Sequence, residues 1–267
     1  MANMKFKDIC KLVNVSVGKE GSIADSFLAD LNYSIKKQNT DNTLNIVSQT
    51  YKPSSLNCIR NMYYQIIGAE VDSVSDTTAD SVGIAESGTD RHERIQDAVC
   101  HMKDSGIDCE YIDVETYIKQ FNIPNLEIVE KCGYETKLVN TKYNFRFMCD
   151  GIIKYKGQYY ILEIKTEVSF KWNNRMNVDP SHYKQATAYA LNLGLHRIIF
   201  VYENRDTCSK KAYLYQVNQT QIDDLVALIN ECDKCVENKQ VPSKPESIKY
   251  SSKQCNYCAY KKRCSTE

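Results

Sequence analysis

Apolar positions along this chain recur with two periods, and the changes between them mark the predicted elements. In residues 53–68, Leu56, Ile59, Met62, Tyr63 and Ile66 fall at helical spacing behind Ser54 or Ser55 as a cap. A polar linker over 72–81 follows, and residues 83–106 read as a longer helix ending at Gly106. Three stretches rich in strand formers come next, at 126–139, 144–156 and 158–170, with a hairpin turn at Gly157 between the last two. Residues 179–194 predict a helix with Pro180 near its start and Gly194 at its end. Strands at 196–203 and 211–217 and an amphipathic helix at 220–239 complete the pattern. Residues 20–50 are polar, giving a helix and then a loose connection. The central order α-β-β-β-α-β predicts an α/β domain with a mixed sheet over 53–267, preceded by an extension over 1–52.

A length of 267 residues, 42% apolar, allows one large core. No window reaches the roughly 18 consecutive apolar residues of a membrane span, and the start MANMKFKDIC has no signal-like run, so the expectation is a soluble cytoplasmic protein. The 34 basic and 34 acidic residues cancel, which leaves any polyanion site to local patches such as the basic tail from Lys239 to Arg263. Twelve cysteines point to metal or catalysis before disulfides in a reducing compartment.

The sharpest chemistry lies on two predicted strands. Glu163 and Lys165, two apart, share a strand face opposite Ile164, and a neighbouring strand can bring Asp150 beside them. Two converging carboxylates make a hard-oxygen site suited to Mg²⁺ or Mn²⁺, and a lysine beside them can stabilise charge on phosphate. A plain cross-strand ion network is the competing reading. Burying such charges at the end of an apolar strand, however, costs several kcal/mol unless they are paired or metal-bound.

D-x(n)-E-x-K on strands, followed by Gln185 and Tyr189 as Q-x3-Y on a helix and preceded by Gly88 and His92 as G-x3-H, resembles the RecB-type branch of the PD-(D/E)XK nucleases. The resemblance implies a restriction-endonuclease-like core in which His92, Asp150, Glu163 and the backbone carbonyl of Ile164 ligate a divalent ion. It implies further that Lys165 assists the water, while Gln185 and Tyr189 steady the lysine and the DNA strand. Glu135, with Glu130 as its rival, stands about where the family often carries an extra acid. One departure is the glycine usual before the motif aspartate, where this chain has Phe147 and Met148.

Near the C-terminus, Cys255, Cys258 and Cys264 are spaced C-x2-C-x5-C. With Cys58 ahead of the nuclease motifs, close to Arg60 and Tyr63, this arrangement resembles the iron–sulfur nucleases of the AddB and Cas-four type. It implies one [4Fe–4S] cluster on Cys58, Cys255, Cys258 and Cys264. The rival is a zinc site of Cys232 and Cys235 with Cys255 and Cys258.

The implied activity is metal-dependent exonucleolytic hydrolysis of DNA, in recombination, phage DNA processing or CRISPR spacer capture with the partner proteins of those pathways. A catalytically inactive DNA-binding or assembly subunit and a site-specific endonuclease are the alternatives. Lys171, Trp172 and Arg175, just after the catalytic strand, are candidate DNA contacts.

Overall fold

Strand β6 (Gln158–Glu167) is the axis of the protein, a computed structural model that describes residues 23–38, 49–72, 78–245, 253–256 and 258–267. The chain divides into two units, Met1–Ile46 with Ser73–Ser87, and Val47–Asp72 with Gly88–Glu267. In the first, helix α1 (residues 23–38) exposes Ile23, Phe27, Leu28 and Leu31. The loose connection expected up to residue 50 falls mostly outside the described residues, as do residues 73–77 of the predicted linker.

The second unit is built on a five-stranded sheet in the order β1-β5-β6-β7-β8. Its strands are β1 (Cys109–Ile112), β5 (Gly151–Tyr155), β6, β7 (Arg197–Asn204) and β8 (Lys210–Gln216). Only the β6–β7 pair is parallel, so the sheet is mixed, as predicted. A parallel pair needs a crossover, and α6 (Tyr183–Leu193) supplies it, closed by Gly194 in a left-handed conformation.

Alternation along β6 and β7 feeds two cores. Ile161, Ile198, Phe200 and Tyr202 join the larger core with α2 (Ile59–Ile66), α6 and α7 (Gln219–Glu237). Leu162, Ile164, Ile199 and Val201 pack with Ile95 and Val99 of α3 (Ala79–Cys100). The fold is therefore helices, sheet, helix, and side chains from either layer can meet at the strand ends.

Several predicted elements are corrected. The helix over 53–68 is a 3₁₀ turn at Pro53–Ser55 and then α2, because Cys58 is extended and caps the second piece. The long helix begins at Ala79 and ends at Cys100, with turns running on to Gly106 at φ +77°. The stretch 126–139 is a hairpin of β2 (Leu126–Cys132) and β3 (Glu135–Asn140), turning where Gly133 has φ +59°. With β4 (Phe145–Phe147) these strands form a separate three-stranded sheet, so the stretch 144–156 serves two sheets. Strand β1 and helix α4 (Val114–Phe121) lie where no element was predicted. The α-β-β-β-α-β order survives only after β1 replaces 126–139 as the outer central strand.

Candidate metal and active site

Pairing between β5 and β6 stops at Gly151 and Leu162, and the chemistry begins at the next residues. Asp150 turns its carboxylate onto the edge of β6, where Oδ2 accepts the Ile164 N–H at 2.5 Å. Its other oxygen lies 3.2 Å from His92 Nδ1. Its backbone carbonyl accepts from Gln96 Nε2 at 2.7 Å and from the Tyr111 hydroxyl at 3.4 Å. Tyr111 also explains the glycine after the aspartate, since a Cβ at Gly151 would lie 2.6 Å from its ring.

Among the described residues, ligand atoms of His92, Glu135 and Asp150 all lie within 4.8 Å of one another. Glu135 is thus the acid brought to the site, whereas Glu130 is exposed and pairs with Lys137 at 2.5 Å. Glu163, expected as the third ligand, is not in that group, because its carboxylate is turned to other partners. Its Oε1 accepts from Lys165 Nζ at 2.5 Å and from Gln185 Nε2 at 2.8 Å. Gln185 Oε1 accepts in turn from Lys165 at 3.1 Å, and its amide donates to the Tyr189 hydroxyl at 2.9 Å. The predicted Lys165–Gln185–Tyr189 constellation therefore assembles. The far oxygen of Glu163, Oε2, is buried without a hydrogen-bond partner.

The electrostatics follow from burial. Glu163 is 2% exposed, and burial pushes its carboxyl up to about 7 against the pull of Lys165. Burial also raises Glu135, with the Asp150 charge adding to it. Burial opposes charge on Lys165, and Glu163 more than offsets it, leaving the ammonium harder to deprotonate than usual. The same contest at His92 is won by Asp150, which raises the imidazole. An imidazole, two carboxylates and a buried orphan carboxylate oxygen form a hard N/O donor set that fits Mn²⁺ or Mg²⁺.

Helix α3 is held over the sheet by a feature that sequence reasoning missed. Glu203 of β7, fully buried, pairs with Arg91 at 2.8 Å, Arg94 at 2.6 Å and Lys210 at 3.0 Å. These bonds bracket His92. Gln96 was also missed, although its spacing of four from His92 places both on one helix face. Gly88 has no packing role, since a Cβ there would meet nothing within 4 Å.

The residues expected to contact DNA have partners within the chain. Arg175 is buried and grips Glu167 through Nε at 2.6 Å and Nη2 at 2.5 Å, with Asp179 at 3.0 Å and the Tyr202 ring beneath it. Trp172 donates its indole N–H to the Tyr202 carbonyl at 3.1 Å, and Lys211 covers its ring. Lys171 pairs with Glu167 at 3.1 Å and Asp179 at 2.8 Å. Glu167 on β6 and Asp179 after α5 (Ser169–Asn173) pair with the charges of Lys171 and Arg175, while Trp172 is held by the Tyr202 backbone.

The cysteine tail lies against α2. Arg60, buried, donates to the carbonyl of Cys264 at 2.9 Å, to its sulfur at 3.4 Å and to the Pro242 carbonyl at 2.8 Å. The Asp72 N–H reaches the Ala259 carbonyl at 2.7 Å, and the rings of Tyr64 and Tyr260 are 5.5 Å apart. Burial raises the Cys258 thiol, and the neighbouring Cys58, Cys264 and Cys255 add to that rise. Cys232 is instead fully buried in the large core, where burial pushes its thiol up to about 11. Those surroundings suit a packed thiol rather than the zinc ligand of the rival reading.

No family model and no curated protein matches the chain. The crystal structure of SSO0001 aligns at 14% identity and a TM-score of 0.47, covering 88% of this chain and 95% of that one. An alkaline exonuclease, LHK-Exo from Laribacter hongkongensis, aligns at 12% identity and 0.42, covering 72% of this chain and 90% of that one. LHK-Exo in complex with dAMP aligns at 12% and 0.41 over the same shares. Likenesses this distant carry no argument about chemistry, which rests on the side chains.

Proposed function

We propose that this chain is a divalent-metal-dependent DNA exonuclease of the RecB-like PD-(D/E)XK type, carrying a [4Fe–4S] cluster. The observation that carries the reading is the convergence of His92, Glu135 and Asp150 within 4.8 Å beside the part-buried Glu163–Lys165–Gln185 network. His92, Asp150 and Glu135 would hold the ion, with the unpartnered oxygen of Glu163 completing the donors. The Ile164 carbonyl leaves β6 on the same edge as the N–H bound by Asp150, which supports it as a further ligand. When bound, the ion supplies Lewis acidity to a phosphodiester and lowers the pKa of water.

The protein's own groups do the rest. Lys165, kept charged and aimed by Glu163 and Gln185, offsets the charge that grows on the phosphate oxygens as water adds and the ester P–O bond breaks. Tyr189 fixes Gln185, and Gln96 and Tyr111 fix the backbone under Asp150. Cys58, Cys255, Cys258 and Cys264 would hold the cluster, with Arg60 binding the Cys264 carbonyl and pinning the tail to α2. DNA is the proposed partner.

Purified anaerobically, the protein is expected to contain iron and to shorten linear DNA in Mn²⁺ or Mg²⁺, leaving circles intact. Asp150→Ala should abolish the cleavage. Activity that survives this change removes the active site, cutting of circles removes the exonuclease, and zinc without iron removes the cluster.

A further inference from the structure

Helix α6 opens on a histidine at its N-cap, His182, which the proposed mechanism does not use. Two sets of contacts place it beside Lys165. In the parallel β6–β7 pair, Phe200 is the register partner of Glu163 and Tyr202 that of Lys165, so the four side chains share one face of the sheet. The imidazole stacks on both rings, with its centroid 6.0 Å from that of Phe200 and 5.9 Å from that of Tyr202. From the helix side, Gln185 lies within one turn of His182 and hydrogen-bonds both Lys165 and Glu163. The histidine therefore covers β7 at the level where β6 presents its lysine.

Hydrogen bonding fixes which ring nitrogen carries the proton. The Tyr202 hydroxyl accepts the Asp179 N–H at 3.1 Å and lies 2.9 Å from His182 Nδ1. Tyr202 is fully buried, and Nδ1 is the acceptor its hydroxyl proton has among the described residues. Nδ1 therefore accepts, and the neutral ring carries its proton on Nε2. Burial, and after it the Lys165 charge, push the imidazole down to about 4, so it is uncharged near neutral pH. Nε2 has no partner among the described residues, and on this half-buried side chain it reaches solvent. The result is an uncharged donor, held by a stack and a hydrogen bond, whose ordering does not have to be met on binding.

A phosphate oxygen has lone pairs to spare after it meets an ammonium, and a neutral N–H can take one without repelling that ammonium. We infer that His182 donates its Nε2 hydrogen to a non-bridging oxygen of the DNA phosphodiester that Lys165 contacts. This rests on the nuclease reading for the identity of the ligand.

The test exploits two amides that each replace one ring nitrogen. His182→Gln sets an N–H donor near the place of Nε2, whereas His182→Asn sets an acceptor near the place of Nδ1 and keeps the Tyr202 bond. Full-length variants are compared on linear DNA in Mn²⁺, after urea unfolding has shown each to be folded. His182→Gln should cleave within about threefold of wild type, while His182→Asn should lose about a hundredfold. A phosphorothioate at the cleaved linkage supplies a readout that a structural role would not move, since sulfur accepts hydrogen bonds poorly. One diastereomer should slow wild type and His182→Gln more than it slows His182→Asn. The inference is overturned if His182→Gln loses as much as His182→Asn or more, or if neither loses, because the histidine then serves the Tyr202 stack alone. Equal thio effects in wild type and His182→Asn overturn it as well. Either result leaves the nuclease standing while Asp150→Ala is inactive. Wild type that cleaves no DNA instead sinks the nuclease reading and the inference with it.

Discussion

Glu163 and Glu167 stand four residues apart on one face of β6, both buried, and the protein treats them in opposite ways. Glu167 is clamped by the Arg175 fork and by Lys171, and these bonds hold its carboxyl below the usual range despite burial. Glu163 has one oxygen shared by Lys165 and Gln185 and the other unpaired, and burial pushes it up to about 7. A buried acid with every lone pair matched is structural, because nothing is left for a ligand. A buried acid left half-matched is a cost that a bound cation would offset. The contrast separates scaffold from site within four residues.

The largest effect expected from breaking the contrast is on cleavage. Glu163→Gln keeps the shape and the Gln185 contact but removes the charge that orients Lys165 and faces the ion. Its cleavage rate should fall by roughly a thousandfold, about 4 kcal/mol of transition-state stabilisation. Glu167→Gln, assayed as folded protein at 20 °C, should stay within about tenfold of wild type. Equal losses in both variants would mean that the two acids do one job.

Stability should sort them the other way. Arg175→Ala strands Glu167 and Asp179 in a buried setting, and breaking such a pair costs about 3–5 kcal/mol. Glu163→Gln should cost the metal-free protein less, since it removes a carboxylate with one unmatched oxygen, although Lys165 loses its counter-charge. Urea unfolding with EDTA present reads both. A large loss in Glu163→Gln would show that its pairing with Lys165 is complete after all.

How much of this was legible in the sequence follows the same division. Spacing alone placed Asp150, Glu163 and Lys165, since strand alternation fixes which side chains share a face, and helical spacing placed Gln185 with Tyr189. The pattern misled where two strands joined through Gly133 read as one, because a short turn inside a β-rich run leaves the period unbroken. It also missed β1, whose four residues, CEYI, are too few to display a period. Lys171 and Arg175 looked like ligand-binding groups because their acidic partners, Glu167 and Asp179, read as ordinary surface charge. Glu203 could not be linked to Arg91 and Arg94, more than a hundred residues earlier, before the parallel crossover brought β7 under α3. Long-range pairing of charge is a tertiary fact, and no local period encodes it.

The smallest expected effect is a slope. Glu163 titrates near 4.5 when unfolded and near 7 when folded, so it contributes stability fully below about 4.5 that is lost as pH rises through 7. Glu167, with its lowered folded value, contributes stability above about 4.5 that is lost only as pH falls through that lowered value. Between pH 5 and 7, then, metal-free protein should gain stability on acidification from Glu163 while Glu167 stays silent. His92, raised by Asp150, adds to that gain, and His182, pushed down to about 4 by burial, opposes it. Subtracting the Glu163→Gln curve at each pH cancels both histidines to first order and leaves the glutamate. With Mn²⁺ present the sign should reverse, because the ion binds the deprotonated carboxylates and competes with their protons. Parallel curves for wild type and variant in EDTA would mean that Glu163 is as fully paired as Glu167, and the distinction between site and scaffold on β6 would be lost.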